Sequence, residues 1–230
     1  MITGTIVNTF TVAVGSIIGV TIGKNIKSEI KDSIMKGLGL AVVVLGIKMA
    51  FTDHDFLMAL FAIVLGTLIG EIIDIEKMIE NFAEYIKSKV KSDSGSFVLG
   101  FVSASVLFCV GSMTIVGAIK DGLNNDPSVL YVKSLLDGVT SIILASTFGI
   151  GVFFSIIVIF IYQGALSLIA FKLTFLLNDE IYINGISVVG GIIILGIGLN
   201  MLGITKIKTA NMLPSLFFIP IIDVLYKLWG

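Results

Sequence analysis

Apolar residues run along this chain in nearly unbroken stretches of about twenty, parted by short polar turns. About twenty apolar residues at 1.5 Å rise each make a helix that crosses a hydrocarbon core. Eight segments approach that length: Gly4 to Gly23, Ile34 to Phe51, Phe56 to Ile75, Phe97 to Ile119, Val129 to Phe148, Gly151 to Leu173, Ile183 to Ile204 and Met212 to Leu228. Membrane barrels alternate apolar and polar positions, which these runs do not. The pattern predicts an all-α, polytopic transmembrane helix bundle of about eight spans, a single transmembrane domain over 1–230. Only Gly149 to Gly151 parts the fifth span from the sixth. The first run begins at Ile2 without a positively charged stretch before it and without a small-residue cleavage pattern before Lys24, so it reads as a span and not as a signal peptide.

One stretch departs from the continuous pattern. Ile75, Ile79, Phe82, Ile86 and Val90 recur at spacings of three and four, with Glu76, Glu80, Glu84 and lysines between them. Such spacing predicts an amphipathic helix over 75–91. It would lie on the cytoplasmic membrane surface or extend span three; docking a soluble partner is the alternative.

Composition supports the membrane reading, with 56% hydrophobic and 13% charged residues against about 25% charged in soluble domains. Lysine asymmetry sets the orientation. Lys24, Lys27 and Lys31 follow span one, Lys77, Lys87, Lys89 and Lys91 follow span three, and Lys206 and Lys208 follow span seven, all on one face. The opposite loops carry Asp53 and Asp55, Asp121 and Asp126, and Asp179 and Glu180, although Lys120, Lys133 and Lys172 dilute the contrast. Both termini are expected outside a bacterial inner membrane. The chain has no Arg and no basic stripe, which argues against nucleic acid as a partner. One cysteine, Cys109, and one histidine, His54, build neither an intrachain disulfide nor a multi-His/Cys metal site. No cofactor or catalytic motif is expected, and the chain does not read as an enzyme.

Candidate chemistry sits at a few positions inside the spans. Gly15, Gly19 and Gly23 make two successive GxxxG spacings and Gly66 with Gly70 a third, which would let helices pack closely. Around Phe108 to Leu123, Gly111, Ser112 and Thr114 fall in mid-span, where a broken helix would form a site; the alternative is a continuous helix whose hydroxyls bond back to its own carbonyls. Ser134, Asp137 and Ser141 share one face of span five. A carboxylate at that depth calls for a cavity or a partner, and Lys133, one turn earlier, is such a partner. Asn8, Gln163 and Asn200 are neutral polar residues within spans, suited to interhelical hydrogen bonds or to lining a pathway. Lys48, Glu71 and Asp223 lie nearer span ends, where a structural role is expected. Val42 to Ile47 (VVVLGI) resembles Ile192 to Ile197 (IIILGI) on spans of opposite direction, as an inverted repeat would, though chance similarity between membrane helices gives the same pattern.

Three ordered blocks carry a family resemblance: GSMTIVGAIKDGL (Gly111 to Leu123), KSLLDGVTSIILASTFGIGVFFS (Lys133 to Ser155) and YQGALSLIA (Tyr162 to Ala170). With GTIVNTFTVAVGSIIG (Gly4 to Gly19) and GGIIILGIGLNMLGI (Gly190 to Ile204), they are similar to the YdfK/YqgA family of uncharacterised bacterial membrane proteins. The resemblance covers nearly the whole chain. It implies a multi-span protein of the bacterial cytoplasmic membrane and brings no substrate.

Taken together, the residues point to a transporter or channel for a small solute, a cation or a proton-coupled substrate. Asp137 would hold the cation or proton, Ser134 and Ser141 would add oxygen ligands, and the backbone from Gly111 to Thr114 would add carbonyls. The competing expectation is a membrane scaffold or sensor that recruits a partner through the Ile75 to Val90 helix. The glycine faces would suit a homodimer as well as intrachain packing.

Overall fold

The computed structural model describes residues 2–90, 95–177 and 179–229. Lys91, which was to close the amphipathic stretch, lies outside the described residues. Ten α-helices run in chain order: α1 (Thr3–Gly23), α2 (Ser28–Ala50), α3 (Phe56–Ile73), α4 (Ile75–Lys89), α5 (Phe97–Cys109), α6 (Ser112–Asn124), α7 (Ser128–Phe148), α8 (Gly151–Leu168), α9 (Glu180–Met201) and α10 (Ser215–Trp229). Seven segments are each long and apolar enough to cross a membrane, and α5 with α6, bent by 62° at the break between them, makes an eighth if the pair is one span. The chain is therefore a helical membrane bundle, as the hydropathy pattern predicts.

Some boundaries move, for local reasons. Span six ends at Leu168 and passes into short 3-10 turns, and α9 starts at Glu180 because the Asp179 carboxylate accepts the Ile181 N–H, an N-cap. The α3 helix stops at Ile73, where Asp74 takes a left-handed conformation (φ 56°) and returns its N–H to Gly70. The amphipathic segment is thus a separate helix, α4, and not a straight continuation of span three.

The helices gather into two compact units, each discontinuous in sequence. The first comprises Met1–Met35, Ile79–Cys109 and Met113–Thr174. Within it α1 and α7 pack closely and in the same direction. A Cβ on Gly4 would meet Leu130, one on Gly15 the Gly138 carbonyl and the Ser141 hydroxyl, one on Gly19 the Ile142 carbonyl, and one on Gly23 the Ser146 backbone. The glycine face of α1 therefore lets two backbones approach within reach of each other's carbonyls. Parallel packing of α1 and α7 also fixes the parity of the chain. With α2 and α3 each crossing, α7 can run with α1 only if the bent α5–α6 pair crosses too. The α8 contacts agree, since Gly151 near its start meets the Phe97 carbonyl, while Ser167 near its end meets Gly122 of α6. The pair thus follows α8 along nearly all of its roughly 27 Å length.

The second unit comprises Lys36–Met78, Val110–Ser112 and Phe175–Gly230. Here α2 and α9 pack antiparallel, with Gly46 against Gly191 and Leu195, and Gly198 against Gly39 and Val43. These are the helices that carry the similar VVVLGI and IIILGI stretches. The α3 and α10 helices are also antiparallel. A Cβ on Gly66 would collide with Ser215, and one on Gly70 would fall inside the Asn211 carbonyl. All five glycines of the GxxxG spacings are thereby spent on contacts within the chain.

Candidate functional site

Asp137 is the tenth of 21 residues in α7, close to mid-helix, and the residue is only 8% exposed. A carboxylate cannot be left bare there, and two neighbours satisfy it. Lys133, one turn earlier, forms an ion pair with its Oδ2. Asn8, from the parallel α1, donates its side-chain Nδ2 to the same oxygen at 3.0 Å. The lysine partner expected from the i, i+4 spacing is present, and an interhelical amide adds to it.

The ion pair lies beside the end of α5. The Lys133 ammonium stands 6.0 Å from the centre of the Phe108 ring, and the Cys109 thiol, at the last helical position of α5, is close enough to sense the charges of both Lys133 and Asp137. The Tyr162 hydroxyl of α8 lies within electrostatic reach of that thiol. At the break the helical ladder stops, and the freed Phe108 carbonyl accepts from the Thr114 hydroxyl of α6 at 3.2 Å instead. The bend comes from Gly111, whose φ of 125° is closed to most L side chains. Val110 to Ser112 belong to the second unit, where glycine leaves them room on α9: a Cβ on Gly190 would meet Val110 at 3.1 Å. Ser112 opens α6 and is partly exposed.

Several oxygen and nitrogen atoms of α1 and α8 are buried and have no partner among the described residues. They include the Asn8 Oδ1, the Thr5 Oγ1, the Tyr162 hydroxyl and both ends of the Gln163 amide. Gln163 is fully buried in α8. Unsatisfied buried polar atoms cost free energy, so each of these is a position where a further donor or acceptor would be favourable.

Other expected site residues have local tasks. The Ser134 hydroxyl donates to the Leu130 carbonyl and the Ser141 hydroxyl to Gly138, each within α7, so neither is turned to Asp137 as an oxygen ligand. Asn200 belongs to the second unit, where its amide closes the turn after α9 by accepting from Thr205 and Ile207 and donating to the Ile207 carbonyl. Asp121, expected in an exposed loop, is instead fully buried. The α6 helix runs on to Asn124, beyond the expected end of span four at Ile119, and Asp121 Oδ2 accepts the Gly4 N–H at 2.8 Å.

Two further groups in the second unit were not visible in the sequence. His54 Nε2 meets Asp223 Oδ1 at 3.0 Å with both side chains fully buried, against Gly185 of α9. Asn211 accepts the Glu76 N–H at the start of α4, while the Glu76 carboxylate accepts the Ala210 N–H, a reciprocal clasp. Beside it Lys208 pairs with Glu71 at 3.0 Å, and this hydrogen bond and charge keep the ammonium protonated above the ordinary lysine range. No spacing rule links residues more than 130 positions apart, which is why neither group could be read in advance.

The family model described as "Protein of unknown function (DUF554)" matches residues 3–224. "Uncharacterized membrane protein YdfK" of Bacillus subtilis (strain 168) is 39% identical over 232 residues, covering 99% of this chain and 98% of the relative. "Uncharacterized protein YqgA" of Escherichia coli (strain K12) is 31% identical over 234 residues, covering 100% and 99%. No solved structure matches. With a family model spanning almost every residue and relatives aligned from end to end, this multi-span membrane protein belongs to the DUF554 family.

Proposed function

We propose that the protein is a proton-coupled transporter of a small solute across the bacterial cytoplasmic membrane, working at the buried Lys133–Asp137 pair beside the end of α5. The observation that carries this reading is the buried Lys133–Asp137 ion pair with Asn8, beside a helix end whose backbone is released from its ladder. The carboxylate already holds a cation, the Lys133 ammonium. A metal ion would have to displace that lysine, whereas a proton needs only to neutralise Asp137 and let Lys133 go. Protonation thus converts a neutral pair into a free positive charge inside the unit, the kind of change that can be coupled to binding a solute. Gln163 and Tyr162 offer the unspent polar atoms such a solute would meet.

We read the α5–α6 pair as one crossing; eight crossings would leave both termini on one side, and the lysines near Gly23, Ile73 and Met201 favour a cytoplasmic location for the other. We place α4 on that cytoplasmic surface as an interfacial helix. It buries Ala83 and Ile86, sets Phe82 edge to face against Phe101 with ring centres 6.0 Å apart, and leaves Met78, Phe82 and Tyr85 exposed along one stripe next to Lys87 and Lys89. Because the glycine faces are spent inside the chain, they offer no surface for a homodimer.

The test is flux of H⁺, Na⁺ and K⁺ into proteoliposomes by wild type and Asp137→Asn at equal density. The reading expects proton movement that the substitution abolishes while the variant keeps its helical content. Proton movement of equal size in both proteins would sink it. Silence from both under every gradient would favour a scaffold acting through α4.

A further inference from the structure

We infer that His54 and Asp223 of the second unit form a proton-binding site, a buried pair that keeps one proton more than a neutral imidazole and an ionised carboxylate carry. While it keeps that proton, the pair latches α10 to the start of α3. The site belongs to the other unit from Asp137 and stands whether or not the protein moves a solute.

Both nitrogens of the His54 ring face acceptors. Nε2 meets Asp223 Oδ1 at 3.0 Å, and Nδ1 lies 3.0 Å from the Asp55 carbonyl oxygen. A carbonyl oxygen only accepts, so the second contact places a hydrogen on Nδ1. A neutral imidazole carries one N–H, which would leave Nε2 bare, lone pair against lone pair with an ionised carboxylate. Both contacts are hydrogen bonds only when a second proton lies between Nε2 and Oδ1, bound to either atom. With that proton the pair is neutral overall, which suits two side chains with no exposed surface.

The neighbouring backbone is arranged around the pair. A Cβ on Gly185 would stand 2.8 Å from His54 Nε2 and 3.0 Å from Asp223 Oδ2, so α9 closes over the site with a glycine. The Asn184 amide donates to the Asp53 carbonyl at 3.0 Å and fixes the loop that presents His54. Asp55 is the N-cap of α3, and its carbonyl accepts the Ala59 N–H as well as the hydrogen on His54 Nδ1. The pair therefore ties the middle of α10 to the first turn of α3. Among the surrounding charges, Lys227 of α10 and Asp179 before α9 both act on Asp223, but they are paired with each other and opposite in sign. Tyr182 of α9 lies under the Lys227 ammonium, the Asp55 carboxylate is turned to the Leu57 N–H, and Asp53, Glu180 and Lys48 of α2 are exposed. The shared proton is thus held by the pair itself.

Loss of that proton leaves two arrangements. If the remaining hydrogen stays on Nδ1, a bare nitrogen faces a buried negative charge. If it moves to Nε2, the Asp223 bond survives and the tie to the Asp55 carbonyl is lost. The second costs less, because Asp55 is exposed and water can take the place of the ring there. The latch is closed while the proton is bound, so its contribution is present at lower pH and is lost as pH rises and the proton leaves.

His54 is the single histidine of the chain, so nitrogen-15 histidine labelling reports on it alone. The experiment follows the ring nitrogens by NMR up to pH 10 in lipid nanodiscs, for wild type and Asp223→Asn. The Asp223→Asn variant presents an amide N–H to a bare Nε2, so its ring needs no second proton. At pH 8, where a free imidazole with its ordinary value of about 6.5 is neutral, wild type should show Nδ1 protonated and Nε2 protonated or sharing a proton. Asp223→Asn should show Nδ1 protonated and Nε2 bare. Above the pH at which the wild-type signal changes, protease cleavage in the 51–55 loop, taken as a ratio to Asp223→Asn in the same buffer, should rise by up to about tenfold per pH unit. A wild-type ring at pH 8 with an Nε2 that holds no share of a proton, or with its only hydrogen on Nε2, would overturn the inference. A cleavage ratio that stays flat through the wild-type transition would overturn the latch. Should Asp223→Asn fail to fold, the wild-type ring at pH 8 decides, with cleavage referred to the 125–127 loop of the same chain.

Discussion

Asn8 gives its amide hydrogen to Asp137 across 129 residues of sequence, and the oxygen that receives it is the one Lys133 also holds. Two donors therefore close on a single oxygen in the middle of a membrane helix, and the energies of the three groups are coupled. Lys133→Met strands a buried carboxylate and should cost about 3 to 5 kcal/mol, while Asn8→Leu should cost about 1 to 3 kcal/mol. The double substitution Lys133→Met with Asp137→Leu should recover most of the lysine loss, because it removes the charge together with its partner. Thermal unfolding in detergent checks this, and a double variant no more stable than Lys133→Met would show that the pair is not the source of the loss.

Glycines that look alike in sequence should respond oppositely to alanine. A Cβ on Gly70 would lie inside the Asn211 carbonyl, so Gly70→Ala should cost about 1 to 3 kcal/mol or more as backbones are forced apart. Gly37 of α2 has open space around its Cβ position, and Gly37→Ala should stabilise by about 0.5 to 1 kcal/mol through helix propensity. Comparing the two melting temperatures separates steric need from composition.

Removing His54 should unsettle one end of the second unit. His54→Ala leaves the fully buried Asp223 without its partner, and the Asp223 Oδ2 has none already. A loss of about 3 kcal/mol is expected, with earlier proteolysis in the 51–55 loop. Asp223→Asn, which can still bond the ring, should lose less. Equal losses in the two variants would argue that packing, not the hydrogen bond, is at stake.

Asp179 supplies a pH signature. Its hydrogen bond to Lys227 and the Ile181 N–H that it caps hold this carboxyl below the ordinary aspartate range. A depressed folded value means the contribution is fully present above the unfolded value of about 4 and is lost as pH falls through the lower folded value. The stability gap between wild type and Asp179→Asn should thus be constant near neutrality and close in strong acid. The effect will be small because the pair is solvent-exposed. A gap that widens on acidification would reverse the assigned sign.

The spans, the glycine face of α1 and the Lys133–Asp137 pair were legible in the sequence, because each rests on local spacing or on a run of apolar residues, whereas Gly111 to Thr114 suited a break and a continuous helix alike. What could not be read was which face meets which. A membrane helix is apolar toward lipid and toward protein alike, so α9 gives no periodic hint that most of it is buried. Asp121 shows the same limit from the polar side. Its place near the end of a span suggests water, and only the arrival of Gly4, 117 residues earlier, buries it. Ser134 and Ser141 teach the converse, since they share a face with Asp137 and still turn their hydroxyls to their own helix.

The parallel pairing of α1 with α7 also bears on how the protein is made. Helices that enter a membrane one after another most readily pair with the neighbour just inserted, which runs antiparallel. Here the first helix carries a face of glycines and a buried Asn8 amide whose mates arrive more than a hundred residues later. During synthesis α1 must wait in the bilayer with its best surface unclaimed while α2 and α3 pass by, and only the emergence of α7 closes the first unit. Assembly is therefore a late, concerted event, and a chain halted before Ser128 should be a substrate for membrane quality control and not a half-built protein.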